Sequence, residues 1–167
     1  MMLITGVSGL FMPEALAAWS HLKHGNTPEI GGLVVPAPWD AIISADSNSL
    51  SLMAFSGRFR GIHLGRKGWA MTTFDPPYSN RSKLARPLSE VIPLYFQKMG
   101  FTYTMRSHQV VGEKYQCYEA SNTAYKGATE IQCVPETGDG FKISFMGTHD
   151  RAPEFYSLLN RIERKTD

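Results

Sequence analysis

The sequence predicts an α+β fold: a mostly antiparallel sheet with a central helix and a C-terminal helix packed on it, and a short N-terminal helix. Three observations lead there. Apolar runs of strand length recur along the chain with Gly, Pro, Asn and Asp between them. Two longer stretches, one central and one near the end, instead carry apolar residues at helical spacing. The strand candidates after the central helix are joined by hairpin-like turns, Gly138-Asp139-Gly140 being the clearest, and tight turns connect antiparallel neighbours. Of the 167 residues, 43% are hydrophobic and 19% charged, which is enough for one core and too apolar for a disordered chain.

The elements follow in order. Residues 1–24 read as a segment of their own, ahead of a single α+β domain over residues 25–167. Residues 3–12 are mostly apolar and precede Ala15-Leu16-Ala17, which fits the small-residue cleavage site of a secretory signal. No positive stretch precedes the run, and Thr5, Gly6, Ser8 and Gly9 dilute it. Two expectations follow: a targeting or anchor segment with its beginning cut off, or an ordinary element of the fold. The run is too short to span a bilayer. Residues 13–24 read as a short helix, with Pro13 at the first helical position, Glu14 complementing the dipole and Gly25-Asn26 as the stop. Leu16, Trp19, Ser20 and Lys23 share one face, so its apolar stripe is narrow.

Strand candidates come next at residues 32–35, 41–44, 50–55, 61–64 and 69–74. The best helix covers residues 84–99. There Leu88, Val91, Ile92, Tyr95, Phe96 and Met99 recur at three- and four-residue steps, and Gly100 supplies the stop. Pro93 should kink this helix or mark its beginning. Four more strand candidates lie at 101–107, 114–120, 129–134 and 141–147. The closing helix covers 153–164, with Phe155, Leu158, Leu159 and Ile162 as its stripe and Asp150 as a cap for its start.

The only two cysteines, Cys117 and Cys133, sit in two of these strand candidates on either side of a polar stretch holding Gly127. A hairpin about Tyr125 would set them opposite each other. Facing Cβ atoms in an antiparallel pair are roughly 4.5–5.5 Å apart, and a disulfide needs about 3.5–4.5 Å, so a small adjustment closes the bond. Disulfides persist outside the reducing cytosol. The pair therefore bears on compartment.

The order of elements resembles the PsbP/Mog1-type fold, with its early strands after an apolar-Pro-x-Trp turn, here Leu33-Val34-Val35-Pro36-Ala37-Pro38-Trp39. The matching end is the strand at 141–145 followed by the helix carrying Phe155 and Ile162. That resemblance implies a non-enzymatic binding or assembly factor, and it transfers no functional residue.

A second string, Asp75-Pro76-Pro77-Tyr78, looks like the catalytic motif of adenine-type amino-methyltransferases, with Thr5-Gly6 and Gly9 as the glycine turn for S-adenosylmethionine. The resemblance implies that Asp75 and Pro76 accept hydrogen bonds from the target amine and that Tyr78 stacks on the base, flipped out of its duplex. Such enzymes need a parallel sheet with crossover helices, which the short strands and turns between the two motifs do not supply. The competing reading of the string is a proline-rigidified turn leaving a strand, with Asp75 bonding its own backbone. The Thr5-Gly6-x-x-Gly9 string also resembles the start of a short-chain dehydrogenase nucleotide loop, without the third glycine.

The formal net charge is +2, and the densest basic group, Arg58, Arg60, Arg66 and Lys67, reads as a solvated hairpin face. A nucleic-acid footprint is a basic stripe or a strongly basic domain, so that partner is not expected. His21 and His24 lack further ligands for a tetrahedral metal site, and no metal or cofactor is expected. Trp39 and Trp69 read as core. Asn80-Arg81-Ser82 fits a glycosylation sequon. Tyr125 and Tyr118, with Arg58 and Arg60, form the candidate binding surface. The leading expectation is thus an extracytoplasmic, periplasmic or secreted domain that binds a protein or the cell envelope. The alternatives are a small amino-methyltransferase using Asp75, Pro76 and Tyr78, and a cytoplasmic immunity- or inhibitor-like protein with both thiols free.

Overall fold

A computed structural model describes residues 27–36, 41–45, 49–54, 68–76, 86–122, 127–137 and 140–166. The expected N-terminal helix, the targeting segment, the strand at 61–64, Trp39 and the 80–82 sequon lie outside the described residues. The elements run β1 (Glu29–Ile30), β2 (Leu33–Val34), β3 (Ala41–Ala45), β4 (Leu50–Ala54), β5 (Ala70–Asp75), α1 (Leu88–Lys98), β6 (Tyr103–Val110), β7 (Glu113–Asn122), β8 (Ala128–Pro135) and β9 (Lys142–Thr148). A 3-10 turn (His149–Arg151), α2 (Ala152–Asn160) and β10 (Glu163–Arg164) close the chain.

Among the described residues, seven strands form one antiparallel sheet in the order β3-β4-β5-β9-β8-β7-β6, and β1-β2-β10 form a small second sheet. The protein is α+β. Alternation along the strands sorts the large sheet into two faces. One carries Leu50, Leu52, Phe74, Cys117, Cys133, Ile131, Ile143 and Phe145. It is covered by Phe155, Leu158, Leu159 and Ile162 at the closing helix, together with Ile30 of the small sheet and Val35 just after β2. The other carries Tyr118, Ala120 and Val134, and Ile92 and Phe96 of α1 pack on it. The result is a helix, a sheet and a helix in three layers.

The central helix is shorter at its start than the periodicity suggests. Pro87 is its N-cap and Leu88 its first residue. Pro93 neither begins nor breaks it. A proline withholds the N–H that would reach the carbonyl four residues back, here that of Ser89. That carbonyl instead accepts a hydrogen bond of 3.0 Å from the Tyr118 hydroxyl on the sheet below. At the other end Gly100 adopts a φ of 73°. Its N–H bonds Gln97 O, and the Phe101 N–H bonds Phe96 O at 2.8 Å. This is a Schellman closure, sealed by the Phe96 and Phe101 rings at 6.1 Å.

β6 runs to Val110, beyond the expected end at 107, because Val110 is buried at the hairpin corner. The turn to β7 is Val111-Gly112, with φ of 53° and 79°. Two positive φ values define the two-residue turn that matches strand twist. Glycine takes that conformation freely, while a β-branched residue is strained in it. Val111 packs against the core in return.

The closing helix ends at Asn160 rather than 164. The Arg161 and Ile162 N–H groups turn back to Leu158 and Leu159, a tightened last turn. Glu163–Arg164 then pair with β2, and Lys165 N–H continues to Gly32 O at 2.8 Å. Asp150 does not cap α2, which has no side-chain cap. Arg151 anchors the entry instead. It is buried, donates to Gly68 O at 2.8 Å and pairs with Glu154 at 2.7 Å. Thr148 Oγ1 beside it accepts from Gly68 N–H at 2.9 Å. The start of β5 is thereby tied to the end of β9.

Candidate functional site

The cysteines are bonded, with their Cα atoms 4.0 Å apart. Register explains why. Cys117 lies directly opposite Cys133 in the β7–β8 hairpin, whose pairing centres on residue 125. The Glu136 N–H bonds Lys114 O at 2.9 Å, and these two residues continue the same register. Hydrogen-bonded and non-hydrogen-bonded pairs alternate along an antiparallel ladder, so Cys117 and Cys133 form a non-hydrogen-bonded pair, the kind in which side chains come closest. Both are fully buried between the sheet and α2.

The other anticipated site residues scatter. Arg58, Arg60, Tyr78 and Tyr125 lie outside the described residues. Tyr118 is 3% exposed, so it belongs to the packing beneath α1 and not to an outer surface. Asp75 ends β5, with Lys142 across the ladder at Nζ–Oδ2 3.2 Å. The strand that leads to Asp75-Pro76 is paired antiparallel on both sides. It therefore lacks the parallel neighbours that the amino-methyltransferase resemblance implies. Trp69 is buried, as read from the sequence.

A different group of residues converges at the β6 end of the sheet. A cleft of about 560 Å³ lies between β6, β7 and α2, lined by Arg106, His108, Glu119, His149, Tyr156 and Ser157 among others. Alternation brings Arg106 and His108 to the α2 side of β6, and Glu119 to the same side of β7. Tyr156 of α2 donates to Glu119 Oε2 at 2.8 Å. Arg106 Nη2 meets the same oxygen at 3.1 Å, and the guanidinium carbon stands 4.6 Å from the Tyr156 ring centre. A cation over an aromatic face is attractive, so Tyr156 holds Arg106 from two directions. The His108 ring sits 5.8 Å from that of Tyr156. His149 opens the 3-10 turn at the other end of the cleft, with a 3.0 Å hydrogen bond joining its Nδ1 to Thr129 Oγ1.

Burial, the hydrogen bond to Glu119 and that carboxylate's charge push the Tyr156 pKa up, while Arg106 pulls the other way. The phenol therefore stays protonated as a donor to Glu119, which holds Arg106 in turn. Among the described residues one buried atom in the cluster has no partner: His108 Nε2. Among the described residues no group of three His, Cys, Asp or Glu side chains is arranged to hold a metal. The arrangement can receive a polar or anionic group through His108, His149 and the remaining guanidinium N–H groups of Arg106.

Sequence reading did not find this cluster. Its signal was the Arg106-x-His108 alternation, which an expected strand end at 107 cut in two. No protein-family model matches the chain, and no curated protein matches it at a significant level.

Proposed function

We propose that this chain is a non-enzymatic binding domain that works outside the reducing cytosol and takes a protein or cell-envelope partner at the cleft between β6 and α2. The observation that carries the proposal is the Cys117–Cys133 bridge, buried between the two strands that stand beside the β6 edge of the large sheet. A bond of that kind persists in oxidising compartments and is rare among cytosolic proteins. The cleft adds to the reading in a second way. Its acid is engaged by Arg106 and Tyr156, and the polar groups left on its lining, His108 and the other guanidinium N–H groups of Arg106, suit recognition of a polar partner. The order of elements, with its resemblance to PsbP/Mog1-type binding and assembly factors, points in the same direction.

The test is a thiol count on protein taken from its native source, with thiols blocked at lysis and the chain then denatured. No free thiol is the expected result. Two blockable thiols would place the working protein in a reducing compartment and overturn the compartment half of the proposal.

A further inference from the structure

We infer that the partner is an extended acidic segment that adds as a further strand to β6, an inference that rests on the binding-domain reading above. β6 is the last strand of the large sheet, and among the described residues β7 is its only strand neighbour. It is eight residues long, contains no proline and pairs with β7 without a bulge from Tyr103↔Ala120 to Val110↔Glu113. Edges of that length and regularity are open templates for pairing unless they are blunted.

The alternation set by Glu136 N–H to Lys114 O fixes which groups face outward. Odd-numbered residues of β7 turn their backbone groups toward β6, so Arg106 and His108 exchange hydrogen bonds with Cys117 and Tyr115. The N–H and C=O groups of Met105, Ser107 and Gln109 then point away from the sheet. All three residues are exposed, Met105 at 61%.

An added strand would place alternate side chains on the α2 side, opposite Arg106 and His108 and against the cleft. This is strand addition flanked by a helix, in which the ladder gives affinity and the pocket selects side chains. The hydrogen-bond donors in reach favour acidic ones. Arg106, His108 and His149 face the cleft from β6 and the 3-10 turn, and Glu119 from β7 is already held by Arg106 and Tyr156. A second copy of the chain fits less well. Twofold pairing of β6 with itself centred on Arg106 sets Arg106 against Arg106, and like charges directly opposite are destabilising; centred on Ser107 it sets Arg106 against His108 and brings no acid to the cleft.

The probe is a short capped peptide of alternating glutamate and valine, added to the intact oxidised protein at low salt, with binding read by fluorescence anisotropy. In the inferred register glutamates lie opposite Arg106 and His108, and valines exchange hydrogen bonds with Met105 and Ser107. The peptide is expected to bind, and a lysine-for-glutamate version to bind at least about tenfold more weakly. N-methylation of the valines should abolish binding, whereas N-methylation of the glutamates, whose N–H groups point away from β6, should spare it. Saturation should slow amide exchange at Met105, Ser107 and Gln109. Arg106→Ala should weaken binding while the melting temperature is followed separately, and the modified peptides test the same geometry with the protein unaltered. Absence of binding, binding indifferent to valine methylation, or unchanged exchange at those three amides would overturn strand addition. Concentration-dependent protection of the same amides without peptide would overturn it in favour of a second copy. Each of these outcomes leaves the thiol count unaffected, so failure of the strand and failure of the compartment reading are distinguishable.

Discussion

Glu130 shows how one residue carries an energetic liability that its strand position cannot relieve. It is 3% exposed on the α1 side of β8, and its Oε1 accepts from Gln132 Nε2 at 2.9 Å. Among the described residues its Oε2 and the neighbouring Gln132 Oε1 are buried without a donor. A buried acceptor left unpaired costs about 1–3 kcal/mol. Glu130→Gln would supply an amide that can donate to Gln132 Oε1 while still accepting from Gln132 Nε2. The expected outcome is a gain of about 1–2 kcal/mol in denaturant unfolding; a loss would show that the unpaired Oε2 is not the liability described. Tyr156 makes the second residue-scale prediction. Its pKa is raised above the ordinary value near 10, first by burial and then by Glu119. Below about pH 10 both folded and unfolded chains keep this proton. Above it the unfolded chain releases the proton first, so stability is lost as pH rises toward the folded value. Tyr115, raised by burial and by Glu113, acts with the same sign. Tyr156→Phe should therefore flatten the decline of melting temperature above pH 10, and an unchanged decline would remove Tyr156 from that account.

At the scale of elements, α1 depends on the sheet to tolerate Pro93. The Tyr118 hydroxyl replaces the donor that the proline lacks. Tyr118→Phe should destabilise the protein by about 1–2 kcal/mol by leaving the Ser89 carbonyl unserved. In a Pro93→Ala background the returned N–H can serve that carbonyl, so the same change should cost about half as much, a coupling that a double-mutant cycle measures. Equal costs in both backgrounds would sink the link. The sequence already held much of this layer. The stripe of Ile92 and Phe96, the Gly100 stop and the opposed cysteines were legible because each follows from local periodicity or from symmetry about one turn. Glu163–Arg164 was read as helix because a strand of two residues is too short to show a period, and its pairing partner lies far upstream in β2. The cleft was illegible for a related reason. Arg106, Glu119 and Tyr156 meet only once the parity of β6 and β7 and the seat of α2 are known, and no local pattern fixes all three.

For the whole molecule, the bridge matters through where it sits in the topology. β7 and β8 hold inner positions in the order β5-β9-β8-β7-β6, and both helices pack on them, α1 over Tyr118 and Val134, α2 over Cys117 and Cys133. Whatever holds β7 to β8 therefore holds a part of the sheet that both helices cover, and supports β6, the edge at which the cleft opens. The two cysteines are 16 residues apart in sequence. Closing a loop of that size in the unfolded chain removes entropy worth about 3 kcal/mol. With a melting temperature that moves by about 2–4 °C per kcal/mol at this chain length, reduction should lower it by about 6–12 °C. Because the two sulfurs are fully buried, the same reductant should act slowly on the native protein and quickly once it is denatured. Calorimetry on oxidised and fully reduced samples, with thiols counted in each, checks the first expectation. A time course of thiol release under native conditions checks the second. A melting temperature unchanged by full reduction would mean that the packing of Tyr115, Ile131, Ile143 and Phe155 around the pair holds β7 to β8 without the bond.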